Sequence, residues 1–259
     1  MKALIKLGGT LLDNRASRAA LAAQIAALPG TGVQPVVVHG GGRQMTRFLA
    51  SQGVESRFVN GLRVTSPEII DAVLKVFAGS VNKELVAALV AAGAPAVGLS
   101  GIDGALAEAR RLNPDLGAVG QIVRTNPEVL EALVGGGFIP VVACVAGDRD
   151  GNIYNVNADQ MAVACAAGFR AAKLLFLTDV EGVRGADGET LAELTPEEAR
   201  ALIAAGVASG GMEAKLNSAC AALDHGVGEV VIAAGAAPDV VRRLVNGEAM
   251  GTRLRRSGT

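Results

Sequence analysis

The sequence predicts an α/β protein, a three-layer sandwich in which a mainly parallel central sheet is covered by helices on both faces. Three observations carry that expectation. Short β-branched runs alternate with Ala/Leu-rich stretches almost from end to end, the order that builds right-handed βαβ crossovers. The runs are apolar throughout instead of alternating with polar residues, as strands buried on both faces must be. Glycine clusters directly follow two of the runs, where a strand would turn into a helix.

Residues 3–7 read as the first strand and 16–28 as the first helix, with Leu21, Ile25 and Leu28 recurring at i, i+4 and i+7. A strand at Val36-Val37-Val38 leads to a helix starting near Gly42. Further strands are expected at 96–99, 139–145, 174–177 and 230–233. Helix starts are marked at Ser66-Pro67 and at Thr195-Pro196-Glu197-Glu198, where Thr caps, Pro takes the first helical position and Glu the third. Residues 160–167 read as a helix, Gly210 begins another, and Gly206 and Gly226 are stops. Polar stretches at 101–104, 113–120, 147–157 and 182–189 read as hairpins and loops at the sheet's rim, where α/β proteins bind ligands.

Composition removes several function classes. The 24 basic and 25 acidic residues leave a net charge of −1, which argues against a broad basic face for nucleic acid. Half the residues are hydrophobic, too many for a disordered chain. The most apolar windows, 86–99 and 138–146, fall short of the roughly 20 uninterrupted apolar residues of a membrane span. MKALIKLGGT enters a strand without the pattern of a signal peptide. Cys144, Cys165 and Cys220 show no CxxC pair and cannot all pair within the chain, so each reads as a small buried hydrophobe in a reducing compartment. A cytoplasmic protein without membrane or nucleic-acid partners is expected.

Lys6-Leu7-Gly8-Gly9-Thr10 and His39-Gly40-Gly41-Gly42 both follow strands. Glycine lets backbone N–H groups approach an anion, and a helix start behind it adds a favourable dipole. Either cluster alone fits a tight turn equally well; together, one with a lysine ahead of it, they favour an anion site. Neither GxxxxGK[ST] nor GxGxxG occurs, which disfavours a P-loop and a dinucleotide-binding dehydrogenase. Arg63, in NGLRVT (60–65), sits in a turn or hairpin; its planar fork suits a carboxylate, and a surface role suits it as well. Asn155 and Asn157 in NVNAD can bond a polar ligand, while Asp159 just beyond them equally fits ordinary capping. Lys215, in GGMEAK (210–215), opposes the dipole of the helix it opens. A local rule broken without visible compensation points to function. His39 and His225 read as structural, so no Ser-His or Cys-His mechanism is supported.

KLGG, VHGGG, NGLRVT, NVNAD, LTDVEGV, GGMEAK and MGT occur in that order, and through them the chain closely resembles the acetylglutamate kinases of the amino acid kinase family from residue 2 to about 254. The resemblance implies ATP-dependent phosphorylation of the side-chain carboxylate of N-acetyl-L-glutamate, the second step of arginine biosynthesis by the acetylated route. It implies that Lys6 and Lys215 stabilise the transition state and that Asp159 holds them. Gly8 and Gly9 would face the ATP phosphates, and Gly41 and Gly42 would bind acetylglutamate through their N–H groups. Arg63 would grip its α-carboxylate, with Asn155 and Asn157 nearby. Asp179, Val180, Glu181, Gly182, Val183 and Arg184, with Val207, Ala208 and Ser209, would line the nucleotide site.

The resemblance further implies one amino acid kinase domain over 1–259. Its N-terminal lobe, about 1–170, would carry the acetylglutamate site and the dimer contacts, and its C-terminal lobe, about 171–259, the ATP site. Mg²⁺ would be bound mainly through ATP, with no metal held by a protein carboxylate cage. Arginine-inhibited hexameric members carry a helix ahead of the first strand, whereas Lys6 here lies close behind Met1. A homodimer insensitive to arginine is therefore expected, with regulation by a PII-type protein left open. Ile102, in GLSGIDG (98–104), departs from relatives that often carry Lys before the Asp. The alternatives are a kinase for another acid, such as a carrier-linked aminoadipate, and a non-catalytic nucleotide or amino-acid sensor. The joint presence of Lys6, Asp159 and Lys215 disfavours the sensor.

Overall fold

The computed structural model describes residues 1–256; the last three residues of the expected C-terminal lobe, 257–259, lie outside the described residues. In chain order the strands are β1 (Lys2–Leu7), β2 (Gln34–His39), β3 (Phe58–Val59), β4 (Leu62–Arg63), β5 (Ala96–Ser100), β6 (Ala107–Arg111), β7 (Gly120–Thr125), β8 (Ile139–Ala143), β9 (Val145–Gly147), β10 (Ile153–Asn155), β11 (Lys173–Thr178), β12 (Glu193–Leu194), β13 (Glu229–Ala234) and β14 (Thr252–Leu254). The helices are α1 (Gly9–Leu12), α2 (Arg15–Ala26), α3 (Gly42–Ser51), α4 (Pro67–Val73), α5 (Asn82–Ala91), α6 (Glu128–Gly135), α7 (Ala158–Phe169), α8 (Pro196–Ala204), α9 (Gly210–Asp224) and α10 (Val240–Val245). A π-helical stretch, Leu74–Val81, joins α4 to α5.

The main sheet has eight strands in the order β12-β14-β13-β11-β1-β2-β8-β5. The six strands from β13 to β5 are mutually parallel, and β14 runs antiparallel on β13. Their apolar sequences follow from this placement: Ala3, Leu4, Ile5, Leu7, Val36, Val37, Val38 and Leu174 through Leu177 are fully buried. Because the six strands are parallel, their C-terminal ends share one edge. The chain runs outward from β1 to β2 on one side, and β11 and β13 extend the sheet on the other. This reversal opens a crevice beyond the strand ends, the usual ligand position in open α/β sheets. Lys6 sits near that end of β1, opposite Val38 and Phe176.

The local signals behave as their chemistry requires. Thr195 and Glu198 form a reciprocal capping box, Ser66 Oγ accepts from the Ile69 N–H, and Gly206 and Gly226 follow α8 and α9 with left-handed φ of 71° and 90°. Three boundaries move. The first helix stops at Ala26, and Pro29, which lacks an N–H, opens a separate 3₁₀ turn. The helix expected at 160–167 begins at Ala158, capped by Asn157. The single strand expected at 139–145 breaks at Cys144. Residues 139–143 stay in the main sheet, while β9 joins a second sheet ordered β10-β9-β6-β7. There the Val145 carbonyl accepts from the Gly101 N–H at 2.6 Å, so the chain changes sheets without orphaning its backbone.

All three cysteines are buried and free. Among the described residues no helix is long and apolar enough to cross a membrane.

Candidate active site

A buried lysine ammonium needs a counter-charge, and Lys6, 7% exposed, finds it in Asp159. Its Nζ lies 2.6 Å from Asp159 Oδ1, an ion contact off the line of a good hydrogen bond. Lys215 Nζ donates to the other oxygen, Oδ2, at 3.2 Å. Three elements therefore meet at one carboxylate: β1, the first turn of α7, and α9. Asn157 explains how α7 presents Asp159, because its side-chain oxygen accepts from the Asp159 and Gln160 N–H groups and sets the helix start. Burial alone would favour the neutral acid, but the two ammonium groups outweigh it and hold the carboxyl below its ordinary range. The dipole-opposing position of Lys215 has its compensation here.

The two glycine turns approach each other beside this centre. The Gly8 N–H donates to the Leu177 carbonyl at 2.9 Å, and a side chain on Gly8 would meet that oxygen at 3.1 Å. A Cβ on Gly9 would stand 3.6 Å from the Gly42 nitrogen, and one on Gly40 3.3 Å from Ala158. α3 begins at Gly42 with no side-chain cap, which leaves its first N–H groups available. Arg63 is buried on the far side, where it donates to the Gly42 carbonyl at 3.1 Å, to Thr46 Oγ1 at 2.9 Å and to Ser56. Its guanidinium also stacks 4.6 Å from the Phe58 ring. The hairpin predicted around Asn60-Gly61 is β3–β4, with both turn residues at positive φ. Asn155 Nδ2 donates to Thr65 Oγ1 at 3.1 Å, and Thr65 in turn bonds the Arg63 carbonyl. Thr46 and Ser56 carried no signal in the sequence, and Thr65 only its place at the end of NGLRVT; each matters through the fold that brings it to Arg63 or Asn155.

The segment after β11 is anchored elsewhere. Thr178 Oγ1 donates to Asp179, and the Val183 N–H donates to Thr252 Oγ1 at 2.7 Å. Gly182 packs so tightly that a Cβ would stand 2.7 Å from both Thr190 and Thr252. Arg184 pairs with Thr190 across a short bridge. Val183 and Ala208 are buried, whereas Val180 and Val207 are exposed. Ser209 precedes α9, another helix without a side-chain cap. Residues 179–184 thus hang from β14 and from the loop at 189–191.

The model of the amino acid kinase family matches residues 1–234. The chain belongs to the amino acid kinase family. A relative named acetylglutamate kinase, from Solibacter usitatus, is 61% identical over 254 residues, covering 98% of this chain and 99% of that one. Among solved structures of similar fold is an N-acetylglutamate synthase from Neisseria gonorrhoeae complexed with coenzyme A and N-acetyl-glutamate, with a TM-score of 0.88 at 28% identity. The match takes in all of this chain and spans 60% of the synthase. A carbamate kinase from Giardia lamblia bound to AMP-PNP matches at a TM-score of 0.73 and 16% identity, over 99% of this chain and 98% of that one; it shares the fold. The likeness to these structures is one of fold, here a mainly parallel sheet with helices packed on it.

Proposed function

We propose that this protein transfers the γ-phosphoryl group of MgATP to the side-chain carboxylate of N-acetyl-L-glutamate, the second step of arginine biosynthesis by the acetylated route. One observation carries the chemistry: a buried carboxylate holds two ammonium groups beside two glycine turns at the C-terminal edge of a parallel sheet. The 61% identity to an acetylglutamate kinase over nearly the full length of both chains supports the acceptor.

A glutamate-type carboxylate, with a pKa of about 4.3, is already ionised at neutral pH, so the nucleophile needs no general base. The difficulty is electrostatic, an anion attacking an anionic phosphoryl group. Lys6 and Lys215 neutralise the charge that spreads over the transferring oxygens, and Asp159 keeps both ammoniums aimed from opposite sides. Gly41 and Gly42 offer N–H groups to the acceptor carboxylate. Arg63 takes the α-carboxylate, with Asn155 and Asn157 beside it. Gly8 and Gly9 face the phosphates, and Asp179, Val180, Glu181, Gly182, Val183, Arg184, Val207, Ala208 and Ser209 form the nucleotide side. In this division the N-terminal lobe, about 1–170, carries the acceptor site and reaches the ATP phosphates through Gly8 and Gly9, while the C-terminal lobe, from about 171, carries the rest of the ATP site.

Mg²⁺ would enter as part of the substrate, bound mainly through ATP, and would supply positive charge to the phosphates. Asp159 has an ammonium on each oxygen, and among the described residues no group of three His, Cys, Asp or Glu side chains is arranged as a metal cage. The assembly we propose is a homodimer, on the resemblance alone, and the compartment is the cytoplasm, consistent with three unpaired cysteines.

Purified protein incubated with MgATP and, separately, acetylglutamate, glutamate, aspartate or carbamate tests the acceptor. ADP release, with hydroxylamine trapping the acyl phosphate, should be seen with acetylglutamate and at most weakly with the others. Faster turnover of another acid would overturn the assignment.

A further inference from the structure

Gly41 and Gly42 have no side chains with which to fix their own N–H groups, so the surrounding residues must do it. His39, fully buried at the end of β2, donates from Nδ1 to the Gly40 carbonyl at 2.8 Å. Its Nε2 is then the unprotonated nitrogen, and it accepts from Asn82 Nδ2 at 3.0 Å. The same Asn82 amide donates to the Val141 carbonyl on β8 at 2.9 Å. Burial holds His39 neutral by lowering its pKa to about 4. From the other side, a Cβ on Gly41 would lie 2.8 Å from the Phe77 ring and 3.3 Å from Val81. The backbone at Gly41 is therefore seated directly against these two side chains.

Phe77, Val81 and Asn82 come from one element, the π-helical stretch and the residue after it. The Asn82 N–H bonds the Phe77 carbonyl, an i→i+5 contact. In an α-helix five residues advance about 140° beyond a full turn, which would put Asn82 and Phe77 on different faces. The wider turn brings both onto the face toward residues 39–41. Such turns are rare and concentrate where a function repays their poorer hydrogen bonding.

We propose that this π-helical turn is a positioning device for the acceptor loop: Phe77 and Val81 clamp Gly41, and Asn82, acting through His39, fixes Gly40, so that the Gly41 and Gly42 N–H groups are aimed before the acceptor arrives. The inference rests on the reading that those amides bind the acceptor carboxylate. Phe77 and Asn82 touch no substrate; they are positioning residues. The ATP side has anchors of its own, Gly8 on Leu177 and Val183 on Thr252, and shares with α3 a long bond from Gln44 Nε2 to the Gly9 carbonyl at 3.4 Å, so loosening the clamp acts chiefly on the acceptor.

Steady-state kinetics of Asn82→Ala, Phe77→Ala and Phe77→Leu test this, with folding checked by circular dichroism. Asn82→Ala and Phe77→Ala should lower kcat/KM for acetylglutamate about 10- to 100-fold, the scale of a misplaced contact, while KM for ATP stays within about twofold. Phe77→Leu, which keeps bulk against Gly41, should recover most of the loss. Should Asn82→Ala fail to fold, the Phe77 pair decides alone. Folded variants with unchanged acceptor kinetics, or with both KM values rising together, would overturn the clamp. Wild-type turnover of a different acid would overturn the acceptor reading instead, and the same KM split measured on that acid would still judge the clamp.

Discussion

Asp159 and Glu229 are buried among cations at opposite edges of the same sheet. Asp159 meets Lys6 and Lys215 at the C-terminal edge. Glu229 lies at the N-terminal edge, in register with Lys173, and meets Lys173 Nζ at 3.3 Å, Arg253 Nε at 3.2 Å and Arg255 Nε at 2.7 Å. In both, burial works against the charge and the cations overcome it, so both carboxyls sit below their ordinary range. A perturbed carboxylate therefore does not by itself mark a site. What separates the two is what else the cations do. Lys173 also donates to the Leu244 carbonyl, and Arg253 to the carbonyls of Gly247 and Glu248, so this cluster ties the return of the chain through α10 and β14 onto the sheet. The two lysines at Asp159 are compact charges on flexible stems, facing glycine turns, and can turn toward an incoming phosphate.

The sharpest test of that contrast is Lys215→Ala. Removing one transition-state charge should lower kcat by about 10²- to 10³-fold, by analogy with the loss of one oxyanion donor. Lys6 remains on Asp159, so no buried charge is stranded and the melting temperature should move little. A Lys215→Ala protein that turns over normally would leave Asp159 and Glu229 as two versions of the same structural staple.

Glu229→Gln should behave in the opposite way. It strands three cations, two of them largely buried, and should cost about 3 kcal/mol of stability or more while leaving kcat intact in the folded enzyme. The acid limb of the stability profile provides a second readout. Because the folded pKa of Glu229 lies below its reference value of 4.5, its contribution is complete above pH 4.5 and is lost as the pH falls through the folded value. Asp159 follows the same sign from 3.8. His39, held neutral to about 4, starts an earlier decline from pH 6.5, because the unfolded chain takes up its proton first. Urea titrations across pH 3–7 should show the variant losing the Glu229 step alone, with the histidine decline unchanged.

This contrast also explains what could be read from the chain. The parallel strands were legible because burial on both faces leaves an apolar run, and the glycine turns because only glycine tolerates such close backbone approach at Gly8 and Gly41. Lys215 was legible as a misplaced charge, although nothing local shows that its partner lies 56 residues away in Asp159. The second sheet was not legible. β6 reads Ala-Glu-Ala-Arg-Arg and buries only the small Ala107 and Ala109, and β7 carries Gln121, Arg124 and Thr125, so no run of large apolar residues marks either strand and their pairing with each other does the rest. The π-helical turn was invisible for a related reason: its apolar residues satisfy a helical period, and only the contacts of Phe77 with Gly41 and Asn82 with His39 require the wider one. Arg63 gave no clear signal until the hairpin carried it to the first turn of α3.

The smallest expected effect concerns the cation at Glu229 that solvent reaches best. The Arg255 side chain is 44% exposed, against 12% for Arg253 and 15% for Lys173, so water screens its charge and replaces its bonds when it is removed. Arg255→Gln should therefore cost no more than about 1 kcal/mol, the range of exposed ion pairs, and should leave both kcat and the Glu229 step in the acid limb recognisable. Differential scanning calorimetry at pH 7 measures it. A loss as large as that of Glu229→Gln would mean that Arg255, rather than Arg253 and Lys173, carries the cluster. The distinction between a closed staple and an open reaction centre would then rest on the glycine turns alone.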